Sequence, residues 1–183
     1  MKDEHTSELK RDFKSDNSDI LVTVNLTTDY NLLNCLFNLN NDFMYILRVL
    51  SFLFRFIYNV KNPSQKKKVG HLIVAELAQA EIFLLKKVQE EEFSSEMKCL
   101  SKGETVVPNS KLKCLNPFPD RDRVLRVNGR IRHANIKFNS KFPVILPKSY
   151  KLIKLILESY HERYFHLDST TLLHCVREKF WPV

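Results

Sequence analysis

Glycine is nearly missing from this chain: three in 183 residues, at Gly70, Gly103 and Gly129. Positions so far apart cannot build a glycine-rich phosphate loop, so the usual nucleotide-cradling devices are excluded. Cysteine is sparse as well. None of Cys35, Cys99, Cys114 and Cys175 is paired at metal-ligand spacing. No charged-then-apolar signal segment opens the chain, so a secreted disulfide framework is not expected. A reduced, intracellular setting is the expectation, and the Asn25-Leu26-Thr27 triplet then means little. Acidic residues are short too, with 21 Asp+Glu against 29 Lys+Arg and a net charge of +8. What is plentiful is apolar surface. A content of 44% hydrophobic and 27% charged residues is globular and argues against wholesale disorder. The length suits one medium domain or two small ones.

The basic excess sits in one place. Residues 1–20 carry four basic and six acidic side chains (net −2), residues 21–108 ten and nine (net +1), and residues 109–183 fifteen and six (net +9). Three regions follow: a poorly ordered stretch over 1–40, a helical region over 41–108, and a basic module over 109–183. Within the first, residues 1–18 are polar and without period, and Ile20-Leu21-Val22-Thr23-Val24 is a candidate strand. The Asn-rich run from Asn31 to Asn41 shows no clear period.

Residues 43–60 form the most apolar stretch, close to the lower limit for crossing a bilayer. Arg48, Ser51, Arg55 and Asn59 recur at steps of three and four, one narrow polar stripe on an otherwise apolar helix. Such a helix wants burial nearly all round, and two central arginines each cost about 3 kcal/mol in lipid. A core helix is therefore preferred to a membrane span. Lys61 to Lys68 break it with a basic turn, expected to be a solvated loop. A long helix follows over 72–100, with Leu77, Ile82, Leu84, Leu85 and Val88 on its apolar face, and the two helices should pack as a hairpin.

In the basic module, Val124 to Arg132 is a hairpin candidate because Asn128-Gly129 is a strong turn signal. A three-residue loop over 127–129 with Gly129 left-handed opposes Leu125 to Ile131 and leaves Val124, Arg126, Arg130 and Arg132 on the other face. Val144-Ile145-Leu146 is a short strand between prolines. A helix from Ser149 carries Leu152, Ile153, Leu155, Ile156 and Tyr160, and a last helix over 169–179, capped by Ser169, turns Leu172, Leu173, Val176 and Phe180 inward.

His161 and His166 are the residues that point to chemistry. Residues five apart on an unbroken helix lie about 140° apart around the axis. The two imidazoles are either unrelated, or the helix ends between them and the chain folds back. Two imidazoles are good Zn²⁺ ligands, but a structural site needs four.

Asn116-Pro117-Phe118, Leu125-Arg126-Val127-Asn128-Gly129-Arg130, Pro143-Val144-Ile145-Leu146-Pro147, His161 with His166, and Arg177 to Phe180-Trp181 follow one another in order. This series resembles the integrase region of BEL/Pao-type long-terminal-repeat retrotransposon polyproteins. There an Asn-Pro-Phe opening leads through a Leu-Leu-Arg-Val-Gly-Gly-Arg hairpin to a His-x4-His zinc half-site and an Arg-x-x-Phe-Trp helix end. The resemblance covers residues 116–183 well and extends more weakly upstream through Leu47-Arg48-Val49, Arg55-Phe56-Ile57 and the 72–100 helix. It departs at Asp168, where the family has glycine, and at Leu172, where it has threonine.

The resemblance implies the first half of a His-His-Cys-Cys zinc-binding module, with His161 and His166 as its histidines. The family's Cys-x2-Cys pair follows the Phe-Trp helix end and is not among these residues. Cys175 is expected to be a core thiol and His174 a surface histidine. Weak zinc binding or none is therefore expected. The family's catalytic carboxylates are not among these residues either, so no catalysis by this chain alone is expected, and Asp120 and Asp122 are taken as surface charges. The expected fold is α+β and predominantly helical: two long upstream helices, a small hairpin and short strand, then two helices. The expected function is that of a non-catalytic fragment of a retrotransposon-derived integrase that meets DNA through Arg121, Arg123, Arg126, Arg130, Arg132 and Lys137. Further partners are other copies of the integrase polyprotein, in an intracellular or nuclear setting. The alternatives are an interaction scaffold without a nucleic-acid role, association with a membrane through 43–60, or an element remnant without selected function.

Overall fold

The structure, a computed structural model, describes residues 29–63, 67–129, 133–148 and 150–183. The expected tail over 1–18 and the candidate strand at Ile20 to Val24 lie outside the described residues. The chain divides into two compact units, Met1–Leu36 and Phe37–Val183. The fold is α+β and predominantly helical, with seven α-helices and one four-stranded sheet among the described residues.

Helix α1 (Asp29–Leu39) occupies the Asn-rich run expected to be poorly ordered. Leu33, Leu36 and Phe37 are buried at i, i+3 and i+4, a helical stripe too short to stand out in the Asn-rich run. Helix α2 (Phe43–Lys61) starts at Asp42, whose side chain accepts the Met44 N–H at 2.8 Å. Helix α3 (Val74–Glu92) returns beside it, so the hairpin expected across the basic turn forms. Phe54 and Phe83 meet edge to face across the pair, 5.1 Å between centroids.

The polar stripe of α2 finds its reason in α3. Arg55 is buried and donates to both carboxylate oxygens of Glu76 and to the carbonyls of Gly70 (2.6 Å) and His71 (2.9 Å). Glu76 also accepts the Ile73 N–H at 3.0 Å, reaching back over the first turn of α3. Ser51, also buried, donates to the carbonyls of Leu47 and Glu76. The expected burial of α2 nearly all round is not found. Tyr45, Phe52, Phe56 and Val60 on its far side are exposed, because α3 and α6 cover one side only.

The long second helix breaks at Phe93 and continues as α4 (Ser94–Ser101). Gly103 ends it with φ +77°. Its N–H bonds to the Leu100 carbonyl, and the Glu104 N–H bonds to the Cys99 carbonyl. This is the paired closure that favours glycine at the left-handed position. A 3₁₀ turn at Lys113–Leu115 leads to β1 (Phe118–Pro119), β2 (Leu125–Arg126), the one-turn α5 (Phe138–Lys141), β3 (Val144–Leu146), α6 (Lys151–Arg163), α7 (Ser169–Arg177) and β4 (Phe180–Pro182).

The strand order is β1-β2-β3-β4. The first two pairings are antiparallel and the last is parallel, with Val144 opposite Phe180 and Ile145 opposite Trp181. A parallel pair needs a crossover, and α6 with α7 supplies it. Phe180 therefore turns inward as expected, but from a strand rather than from the last helix.

The expected hairpin is displaced. The tight turn lies at 120–124, between β1 and β2, and not at Asn128-Gly129. Asp120 makes it: its Oδ1 accepts the N–H groups of Asp122 (2.9 Å) and Val124 (3.0 Å), and Arg123 takes a left-handed φ of +63°. β1 lies on one edge of β2 and β3 on the other. Gly129 is not left-handed, and residues 130–132 lie outside the described residues.

One buried residue ties the helical region to the sheet. Gln89 on α3 is fully buried. It donates to the carbonyls of Leu125 (3.0 Å) and Ile145 (2.6 Å) and accepts the Leu125 N–H (2.7 Å). Below it Val106, Leu112, Leu125, Val127 and Ile145 form a core cluster, flanked by Phe93, Met97 and Trp181. Residues 41–108 and 109–183 thus share one compact unit.

Candidate functional site

Helix α6 is amphipathic, with Leu152, Ile153, Leu155 and Ile156 buried, and its last turn carries His161. The helix ends between the two histidines. The Phe165 N–H bonds to the Glu162 carbonyl at 3.2 Å, and the His166 N–H bonds to the His161 carbonyl at 2.8 Å. Phe165 and His166 are left-handed, with φ of +56° and +63°. This is the same closure that ends α4, and its longer bond joins residues five apart. A His-x4-His spacing placed on it therefore has its two backbones tied together. The imidazole centroids stand 4.8 Å apart with a 67° angle between planes.

Leu167 leads directly into α7. Asp168, not Ser169, caps it: the carboxylate accepts the N–H groups of Thr170 and Thr171 and the Thr171 hydroxyl. These bonds, the Thr171 hydroxyl foremost, hold the Asp168 carboxyl below its ordinary pKa.

The closure ending α4 has glycine at the left-handed position, whereas the one ending α6 has Phe165. That side chain is 91% exposed and recovers little by packing. A left-handed conformation costs a non-glycine residue about 1–2 kcal/mol, and glycine gives back part of that through its freer unfolded chain. Phe165→Gly is expected to raise stability by about 0.5–1 kcal/mol. A urea titration shows the gain as a higher midpoint at unchanged slope; a lower midpoint would mean the ring is held by packing.

The pair at His161 and His166 offers two nitrogen donors. His174 is exposed and Cys175 half-buried on α7. Among the described residues no group of three or more His, Cys, Asp or Glu side chains could hold a metal ion. The residues present thus fit half of a tetrahedral zinc site and not the whole of one.

The six expected phosphate contacts separate. Arg121, Arg123 and Lys137 are exposed. Arg130 and Arg132 lie outside the described residues. Arg126 is a correction. It is 9% exposed, and its Nε sits 2.5 Å from Asp120. It also donates to Asn139 (3.1 Å) and to the Phe142 carbonyl (2.8 Å), with its guanidinium 4.9 Å over the Phe138 ring. Arg126 spends its donors inside the protein, because its face of β2 is covered by α5. Asp120 is a correction too, since it organises the turn and neutralises Arg126 rather than standing as a surface charge. Beside it a shallow cleft of about 660 Å³ is lined by Phe118, Arg121 and Phe138.

A second cleft, of about 390 Å³, lies among α2, α3, α6 and β3. Within it Lys179 reaches both carboxylate oxygens of Glu81 at 2.6 and 2.7 Å. Burial, with Glu81 nearby, pushes the Tyr160 hydroxyl up to about 12.

No family model, no curated protein and no solved structure matches this chain.

Proposed function

We propose that this chain is the leading part of an integrase-type zinc-binding module of retrotransposon origin, non-catalytic by itself, which associates with DNA through non-specific phosphate contacts. The observation that carries the reading is the closure ending α6, which brings His161 and His166 side by side. His161 and His166 would hold zinc through their imidazoles, and a full site would need two further ligands from outside these residues. When bound, zinc would supply folding energy at the α6–α7 corner.

On the DNA side, Arg121, Arg123 and Lys137 remain as exposed cations near the aromatic rings of Phe118 and Phe138. The two aspartates of the turn reduce the local positive charge, so the expected affinity is modest and strongly salt-dependent.

Two measurements test this. Calorimetric titration with zinc should give binding weaker than micromolar that disappears in His161→Ala and in His166→Ala; submicromolar binding, or binding indifferent to both variants, would contradict the half-site. Fluorescence anisotropy with a duplex oligonucleotide should show affinity falling as salt rises. In the triple variant Arg121→Ala, Arg123→Ala, Lys137→Ala, the slope of log affinity against log salt should shrink by about 3. Retention independent of salt would remove the electrostatic account.

A second reading, an interaction module without a nucleic-acid role, is favoured by one observation, the exposed apolar side of α2.

A further inference from the structure

Helix α2 turns one side to the protein. Phe43, Ile46, Leu47, Leu50, Ser51 and Arg55 are buried. The other side presents Tyr45 (43% exposed), Phe52 (53%), Leu53 (36%), Phe56 (66%) and Val60 (50%), with Val49 half-buried among them and the exposed Arg48 along one edge. Single exposed apolar side chains are ordinary, but a continuous strip running the length of a helix is not. The positions advance by four, three, one, three and four residues. That spacing is the same in either direction about the point between Phe52 and Leu53.

We propose that this strip is the contact between two copies of the chain, α2 packed antiparallel on α2 about a two-fold axis between Phe52 and Leu53. A two-fold interface requires a patch complementary to itself. Here Tyr45 of one copy meets Val60 of the other, Val49 meets Phe56, and Phe52 meets Leu53. Alternating steps of four and three are also the spacing of a coiled-coil seam.

Arg48 decides the direction. It is exposed along one edge of the strip. Antiparallel packing about this axis sets it beside the other copy's Ile57 and opposes the helix dipoles favourably. Parallel packing would set Arg48 beside Arg48. The exposed area of the strip comes to about 500 Å² per copy, or about 1,000 Å² for the pair, which is where specific interfaces begin. An area at this lower bound fits a weak, reversible dimer.

Lipid is the competing occupant. Among the described residues α2 is the one helix long and apolar enough to cross a membrane by length and composition. Against a lipid span stands the inward face, where Arg55 is committed to Glu76; a helix lying on a lipid surface is the occupant that the vesicle measurement below separates.

Sedimentation equilibrium of the full chain at several loading concentrations tests the proposal, with circular dichroism confirming the fold of each variant. A monomer–dimer equilibrium is expected. Phe56→Glu should weaken it by roughly tenfold or more. A monomer at every concentration, or a dimer indifferent to Phe56→Glu, would overturn it. So would a monomer that binds phosphatidylserine vesicles through Phe52 and Phe56. The strip is on α2 and the histidine turn at the end of α6, so failure of the zinc and DNA measurements leaves this result standing, and the reverse.

Discussion

Arg55→Ala or Glu76→Ala is expected to lower the urea midpoint of this chain clearly, because either change leaves a charge between α2 and α3 without its partner. The pair is a hub as well as an ion pair. Arg55 also holds the carbonyls of Gly70 and His71, and Glu76 also holds the N–H of Ile73. It therefore fixes where the loop after α2 turns back into α3. Replacing both by apolar residues should recover only part of the loss, since the loop that those three backbone bonds hold to the pair is released. Urea unfolding at neutral pH measures both effects, and a full recovery in the double variant would show the loop to be held by packing instead.

The same pair sets a pH dependence. The Arg55 guanidinium, with the Ile73 N–H, holds the Glu76 carboxyl down to about 2, against 4.5 for an unperturbed glutamate. A carboxyl whose folded value is depressed stabilises the fold above its unfolded value. That contribution is present above about pH 4.5 and is lost as pH falls from there to about 2. Glu76→Gln should flatten the stability profile across that interval. A profile unchanged from the parent chain would show that the carboxylate carries none of it.

Gln89→Leu is the second large effect. Leucine fills the volume but offers no partner to the Leu125 N–H and C=O or to the Ile145 C=O, all of which Gln89 now satisfies. Each buried group left unpaired costs about 1–3 kcal/mol, so the expected loss is about 3–5 kcal/mol. Gln89→Glu should be no better, because a carboxylate cannot donate to two carbonyls. Faster hydrogen exchange at the Leu125 amide in Gln89→Leu is the direct readout; unchanged exchange would mean that the strands hold each other without the helix.

The largest elements were legible in the sequence because their apolar periods are long. Helices α2, α3 and α6 and strand β3 each carry several core residues at the spacing their structure requires. The α1 helix is hidden because a three-residue stripe is too short to show a period within an Asn-rich run. Asn128-Gly129 misled because a local turn preference of a few tenths of a kcal/mol yields to strand pairing. At the candidate site the histidine spacing left two geometries open, and no residue between them is glycine to mark the closure. Phe165 stands at that left-handed position against its own preference.

By itself the sequence determined what is periodic or compositional: a mostly helical α+β chain, a basic final section, two histidines five residues apart, and an apolar helix with an arginine stripe. Only the tertiary structure decided the partners. It set Arg126 inward on Asp120 rather than outward toward phosphate, gave Arg55 its glutamate and placed Gln89 between two strands. It also closed His166 onto His161 and left one side of α2 uncovered. These depend on which surfaces meet across long stretches of chain, and a side chain's charge or polarity does not state whether water or another side chain will answer it.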